Sequence, residues 1–125
     1  MPSISVQIAN AQAGINATFP EYHPDGYSVA GPVSYSDGTV VINFNANTGD
    51  NKFTIKQAKS TWDSSAVRNK VNKDSGGEFI TTEEKGLTIY TYNGNAAWVN
   101  GGILYTIEGN APLSGDQIRR IATSL

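Results

Sequence analysis

The sequence predicts an α+β domain built on one antiparallel sheet, and three observations carry that expectation. Strand-like alternation recurs in runs separated by Asp-Gly, Asn-Gly and Gly-Gly pairs. Helical patterns with caps interrupt and end those runs. The last strands, unlike the earlier ones, are apolar or aromatic on both faces. One apolar face makes a core, whereas two demand a second layer, a partner or a ligand. The expected architecture is about six to seven strands with N-terminal, central and C-terminal helices packed on the sheet.

Residues 3–13 place Ile4, Ile8 and Ala11 on one helical stripe, with Ser3 as cap and Gly14 as stop. Ile4, Val6 and Ile8 also fit a strand, but the alanine and glutamine content favours helix. Phe19-Pro20-Glu21-Tyr22-His23-Pro24-Asp25-Gly26-Tyr27 follows. Its prolines fix the backbone and Pro-Asp-Gly marks a turn, so the segment reads as an ordered crossing clamped by aromatics.

Val33–Ser36 and Thr39–Asn45 flank Asp37-Gly38 as a hairpin, with Val33, Tyr35, Val40, Ile42 and Phe44 on one face. Lys52–Gln57 alternates with Phe53 and Ile55 inward. Residues 62–73 read as a short helix capped by Asp63 or Ser64, with Val67 and Val71 as an i, i+4 pair. Glu78–Thr82 reads as a strand, turned by Glu83–Gly86 into the final three.

Face arithmetic for those three is sharper. An Asn93-Gly94 turn pairs Tyr92 with Asn95, and a turn at Asn100-Gly101 or Gly101-Gly102 pairs Trp98 with Ile103 or Tyr105. Either choice puts Leu87, Ile89, Ala96, Trp98, Ile103, Tyr105 and Ile107 together, because side-chain parity survives a two-residue slip. The other face receives Tyr90, Tyr92, Ala97, Val99 and Leu104. The chain closes with a helix whose Ser114 and Gln117 have capping-box spacing and whose Ile118, Ile121, Ala122 and Leu125 form the stripe.

At 125 residues the chain fits one domain, 1–125, which buries roughly two-thirds of its unfolded surface. The absence of cysteine removes disulfides, thiolate metal sites and thiol nucleophiles. A net charge of -2 argues against a nucleic-acid partner. One basic stretch exists, Lys52, Lys56, Lys59, Arg68, Lys70 and Lys73, and it reads as a solvated strand edge and helix face rather than an anion site. No run is long or apolar enough to span a membrane, and no signal-peptide pattern opens the chain.

No catalytic residues, cofactor or metal site are expected. His23 is the only histidine and sits in a turn; Glu83-Glu84 precedes a turn; Ser64 has no base to activate it. Tyr90, Tyr92, Val99 and Leu104 are instead the candidate binding face, able to line a groove for a protein, a sugar-like ligand or an apolar one. The alternative is that the first helix, or the helix after Trp62, covers them as a second core layer.

The residues Phe19–Tyr27, Ile55-Lys56-Gln57, Trp98…Gly102-Ile103-Leu104-Tyr105 and Leu113-Ser114…Gln117-Ile118…Ile121–Leu125 carry a resemblance. Together they resemble a bacterial domain family without assigned function, found as the extracytoplasmic C-terminal part of membrane-anchored proteins, including some assigned as transmembrane anti-sigma factors. The resemblance implies an envelope or cell-surface location, an anchor upstream of this chain, and a curved sheet distantly like half-barrels that carry lipid tails. His23 departs from the apolar residue that the pattern has there. The expectation is a non-enzymatic extracytoplasmic sensor or interaction domain for a protein or envelope component, and the alternative is a carrier of lipid or another apolar small molecule. Contact with the membrane is expected only through the anchor.

Overall fold

Turn chemistry sets most of the sheet in the computed structural model, which describes residues 20, 22, 24–30, 33–36 and 38–125. The strands are β1 (Tyr27–Val29), β2 (Ser34–Ser36), β3 (Thr39–Ala46), β4 (Lys52–Lys59), β5 (Ile80–Glu84), β6 (Leu87–Tyr92), β7 (Asn95–Asn100) and β8 (Ile103–Gly109). Two helices accompany them among the described residues, α1 (Ser64–Ser75) between β4 and β5 and α2 (Gly115–Ser124) at the end. The strands form one open antiparallel sheet in the order β1-β3-β4-β8-β7-β6-β5, with β2 also paired to β3.

The strand count corrects the expected six to seven: the described residues form eight. The addition is β1, three residues that pair with the far end of β3 directly after the turn at Pro24–Gly26. A strand that short carries no readable alternation. β5 also starts two residues later than expected and runs through Glu84, because Lys85 and Gly86 alone make the turn at φ 49° and 80°. The N-terminal helix expected over 3–13, and with it Phe19, Glu21, His23 and Asp37, lies outside the described residues.

The final three strands pair as parity requires. Tyr92 faces Asn95 and Tyr90 faces Ala97, while the Gly101-Gly102 turn sets Trp98 opposite Tyr105. The long-range pairing of β4 with β8, Ile55 opposite Ile107, joins the two halves of the chain into one sheet. Where β8 ends, the chain crosses close over β4: Asn110 and Ala111 N–H both donate to the Lys52 carbonyl at 3.1 Å. A Cβ at Gly109 would overlap that same carbonyl oxygen, so the crossing needs glycine.

The core lies on the face carrying Phe44, Phe53, Ile55, Trp98 and Ile107, and α2 packs there through Ile118, Ile121 and Ala122. Phe44 stacks on Phe53 at 4.7 Å and Trp98 on Tyr105 at 5.3 Å, so aromatic pairs knit neighbouring strands across this face. The Ser114 hydroxyl accepts from Gln117 N–H and the Gln117 side chain accepts from Ser114 N–H, a complete capping box that fixes where α2 begins. Gln57 is 0% exposed on this face and is not without a partner.

Candidate functional site

The back of the sheet is where sequence parity placed the candidate residues, and α1 lies across it. Asp63 starts that helix, its carboxylate accepting from Ala66 N–H at 2.9 Å, and Gly76 ends it in the left-handed region with its N–H bonded to Asn72 O. Only Val67 and Val71, one turn apart, are buried; most of the other residues are polar and face water. The two valines pack on Tyr90 and Ala97, with Phe79, Tyr92, Val99 and Leu104 around them. Of the two helices weighed as a cover, the one after Trp62 supplies it.

All four candidates, Tyr90, Tyr92, Val99 and Leu104, therefore belong to one cluster. Tyr90 sits deepest, 4% exposed; its hydroxyl shares a 2.9 Å hydrogen bond with the Ser64 hydroxyl, and Phe79 meets its ring edge-to-face at 5.9 Å. Tyr92, Val99 and Leu104 are half-buried at the margins. An apolar second face is thus largely satisfied from within the chain, and what stays accessible is its rim.

Charged groups gather beside Tyr92 at the far end of α1. Lys70 and Asp74 form an i, i+4 pair at 2.5 Å. That hydrogen bond to Asp74 holds the Lys70 ammonium above its usual pKa, against the opposing effect of burial. Burial raises the Tyr92 phenol first, and the Asp74 carboxylate adds to it. On the core face, burial alone raises Tyr105. Both phenols are already protonated at neutral pH at their ordinary pKa, and the shifts move them further from acting as bases there.

The rim opens at the sheet edge. Glu78, Phe79, Ile80, Thr91, Tyr92 and Asn93 line a shallow, mainly apolar depression of about 350 Å³. Ile80 stands 68% exposed beside it on the terminal strand β5, the most exposed of the large apolar side chains described. A second depression of about 310 Å³, among Asn43, Asn45, Lys52, Thr54 and Glu108, is polar and reads as the solvated part of the sheet. Trp62 is also exposed, at the entrance to α1.

The remaining sequence candidates scatter. Ser64 is the first helical residue of α1, engaged with Tyr90. Glu83 and Glu84 point to opposite faces of β5, as neighbours on a strand must, and Glu84 alone meets Arg119, at 3.8 Å. Arg68 lies over the Phe79 ring at 5.8 Å, and Lys56 pairs opposite Thr106 on the α1 side. Among the described residues no three His, Cys, Asp or Glu converge as a metal site, and no helix is long and apolar enough to cross a membrane. Phe79 and Ile80 were missed as site residues. Their run reads as an ordinary strand, and nothing local in it says that the strand ends a sheet.

Neither a curated protein nor a solved structure matches the chain at a significant level. A family model does match, over residues 18–125, and with that coverage the chain belongs to the family described as Domain of unknown function (DUF4367).

Proposed function

We propose that this is a non-enzymatic, extracytoplasmic interaction domain that receives a protein partner at the β5 edge. One observation carries the reading: Ile80, 68% exposed, borders the apolar depression of Phe79 and Tyr92 on the last strand of an open sheet. Water-exposed isoleucine on an unpaired strand edge is an association hazard that folds commonly suppress, so its presence here favours a use. The extracytoplasmic setting is supported by the resemblance to the outer parts of membrane-anchored proteins. Tyr92 links the edge to the aromatic face read from the sequence; Tyr90 supports it from below.

A photo-crosslinking residue at position 80 of the full-length parent protein, expressed in its own cells, is expected to trap one discrete protein partner. The same probe at Asn69, exposed on the outer side of α1, is expected to trap none. No adduct at 80, or identical adducts at both positions, overturns the reading.

A carrier of apolar ligands is the second reading, favoured by one feature. Tyr90, Val99 and Leu104 form an apolar floor roofed by a helix with just two buried side chains. A lipid would enter by displacing α1. Native mass spectrometry of gently purified protein would then show a bound lipid, and a fluorescent fatty acid would bind saturably; failure of both removes the carrier.

A further inference from the structure

We infer that the β5 edge takes its partner by strand addition, the occupant being an extended segment with a basic residue three positions before an apolar one. The inference rests on the reading of this edge as the docking site and says how the site works. It begins with the turn. Lys85-Gly86 is a two-residue connection with both residues at positive φ, which makes the flanking pair, Glu84 and Leu87, a hydrogen-bonded one. Alternation then directs the backbone groups of Glu84, Thr82 and Ile80 toward β6. Those of Glu83 and Thr81 point out of the sheet, and no described residue bonds to them. Two outward N–H and two outward C=O groups wait in strand register, with Thr81 and Glu83 themselves exposed.

The side chains choose the occupant. On the core side Arg119 already reaches Glu84, whereas Glu83, on the α1 side, has no ion pair among the described residues. A second copy of this chain fits poorly. Pairing two β5 strands about Thr82 sets Ile80 against Glu84 and places the two Glu83 carboxylates on a diagonal. Pairing about Glu83 opposes those carboxylates directly, and pairing about Thr81 sets Glu83 against Phe79. An antiparallel heterologous strand avoids all three: a lysine or arginine opposite Glu83 on the α1 side, and three residues later, on the core side, an apolar side chain beside Ile80, which borders the apolar depression.

The probe is a blocked heptapeptide, Thr-Thr-Lys-Thr-Thr-Val-Thr, compared with its Lys-to-Glu counterpart, with binding followed by amide NMR of the whole domain. Wild type is expected to bind the lysine peptide saturably, with the largest shifts at the Thr81 and Glu83 amides, and to prefer it about three- to fivefold. Thr81→Pro removes an outward donor at an edge position that tolerates proline, and should abolish binding. Glu83→Lys, a surface change, should invert the preference. No saturable binding by wild type, or binding indifferent to both substitutions, overturns the inference. A concentration-dependent dimer that Thr81→Pro dissolves would assign the edge to a second copy and overturn it too. Cross-links at position 80 without any peptide response would remove strand addition yet leave an interaction domain standing; peptide binding without cross-links would do the reverse.

Discussion

Trp98→Ala is expected to cost about 3–5 kcal/mol of stability, read as a fall in the urea midpoint with little change in slope. Trp98 is 1% exposed, the largest of the fully buried side chains, and its ring lies parallel to Tyr105, its direct cross-strand partner. Truncation removes that stacking and opens a void on the sheet face where α2 packs. The void cannot collapse readily, since β7 is held between β6 and β8 by backbone pairing on both sides. Domains of this size hold about 5–15 kcal/mol in total, so the loss approaches the whole margin of a weak one. Trp98→Phe should retain a substantial part by keeping an aromatic against Tyr105. A loss below about 1 kcal/mol for alanine would mean that the indole is not in the core, and the face assignment of all three C-terminal strands would fall with it.

That assignment was legible because it depends on local chemistry. Asn93 and Gly94 adopt φ 49° and 78°, and Gly101 and Gly102 adopt 60° and 79°, the two-residue turns that lock register and hence parity. The Ser114–Gln117 box and the Asp63 cap were readable for the same reason: each is written within a few residues. Sheet order is not. Nothing within Ile80–Glu84 says that it ends the sheet, because that follows from β8 joining β4, a pairing between residues far apart in sequence. The accessible edge at Phe79 and Ile80 was therefore invisible from the strand alone. The cover over Tyr90 was narrowed to two helices and not to one, since parity shows that a face must be shielded without naming the shield. Gln57 gave no warning of its burial; the alternation that put Phe53 and Ile55 inward includes it, and its polar side chain hid the fact.

Tyr90→Ala is expected to release α1 from the sheet, costing about 3–5 kcal/mol as judged by equilibrium unfolding. The helix has twelve residues, is mostly polar, and is held through Val67, Val71 and the Ser64–Tyr90 hydroxyl contact. A helix of that length is marginal in water by itself, so its order depends on the floor that Tyr90 supplies. Loss of protection should appear first at the Val67 and Val71 amides in hydrogen exchange, ahead of the β4–β8 ladder, which β7 separates from the strand that carries Tyr90. Tyr90→Phe isolates the polar part: it keeps the ring against Phe79 and removes only the bond to Ser64, for about 1 kcal/mol, and Ser64→Ala added to it should cost little more. Peptide binding at the β5 edge offers an independent check, because Phe79 loses its edge-to-face partner with Tyr90 while Thr81 and Glu83 keep their outward groups; binding should weaken without disappearing. If Tyr90→Ala instead shifted stability by less than about 0.5 kcal/mol with the α1 amides still protected, Tyr90 would be behaving as a surface residue. The back of the sheet would then be open, and the aromatic face itself, not its rim, would be the place to look for a ligand.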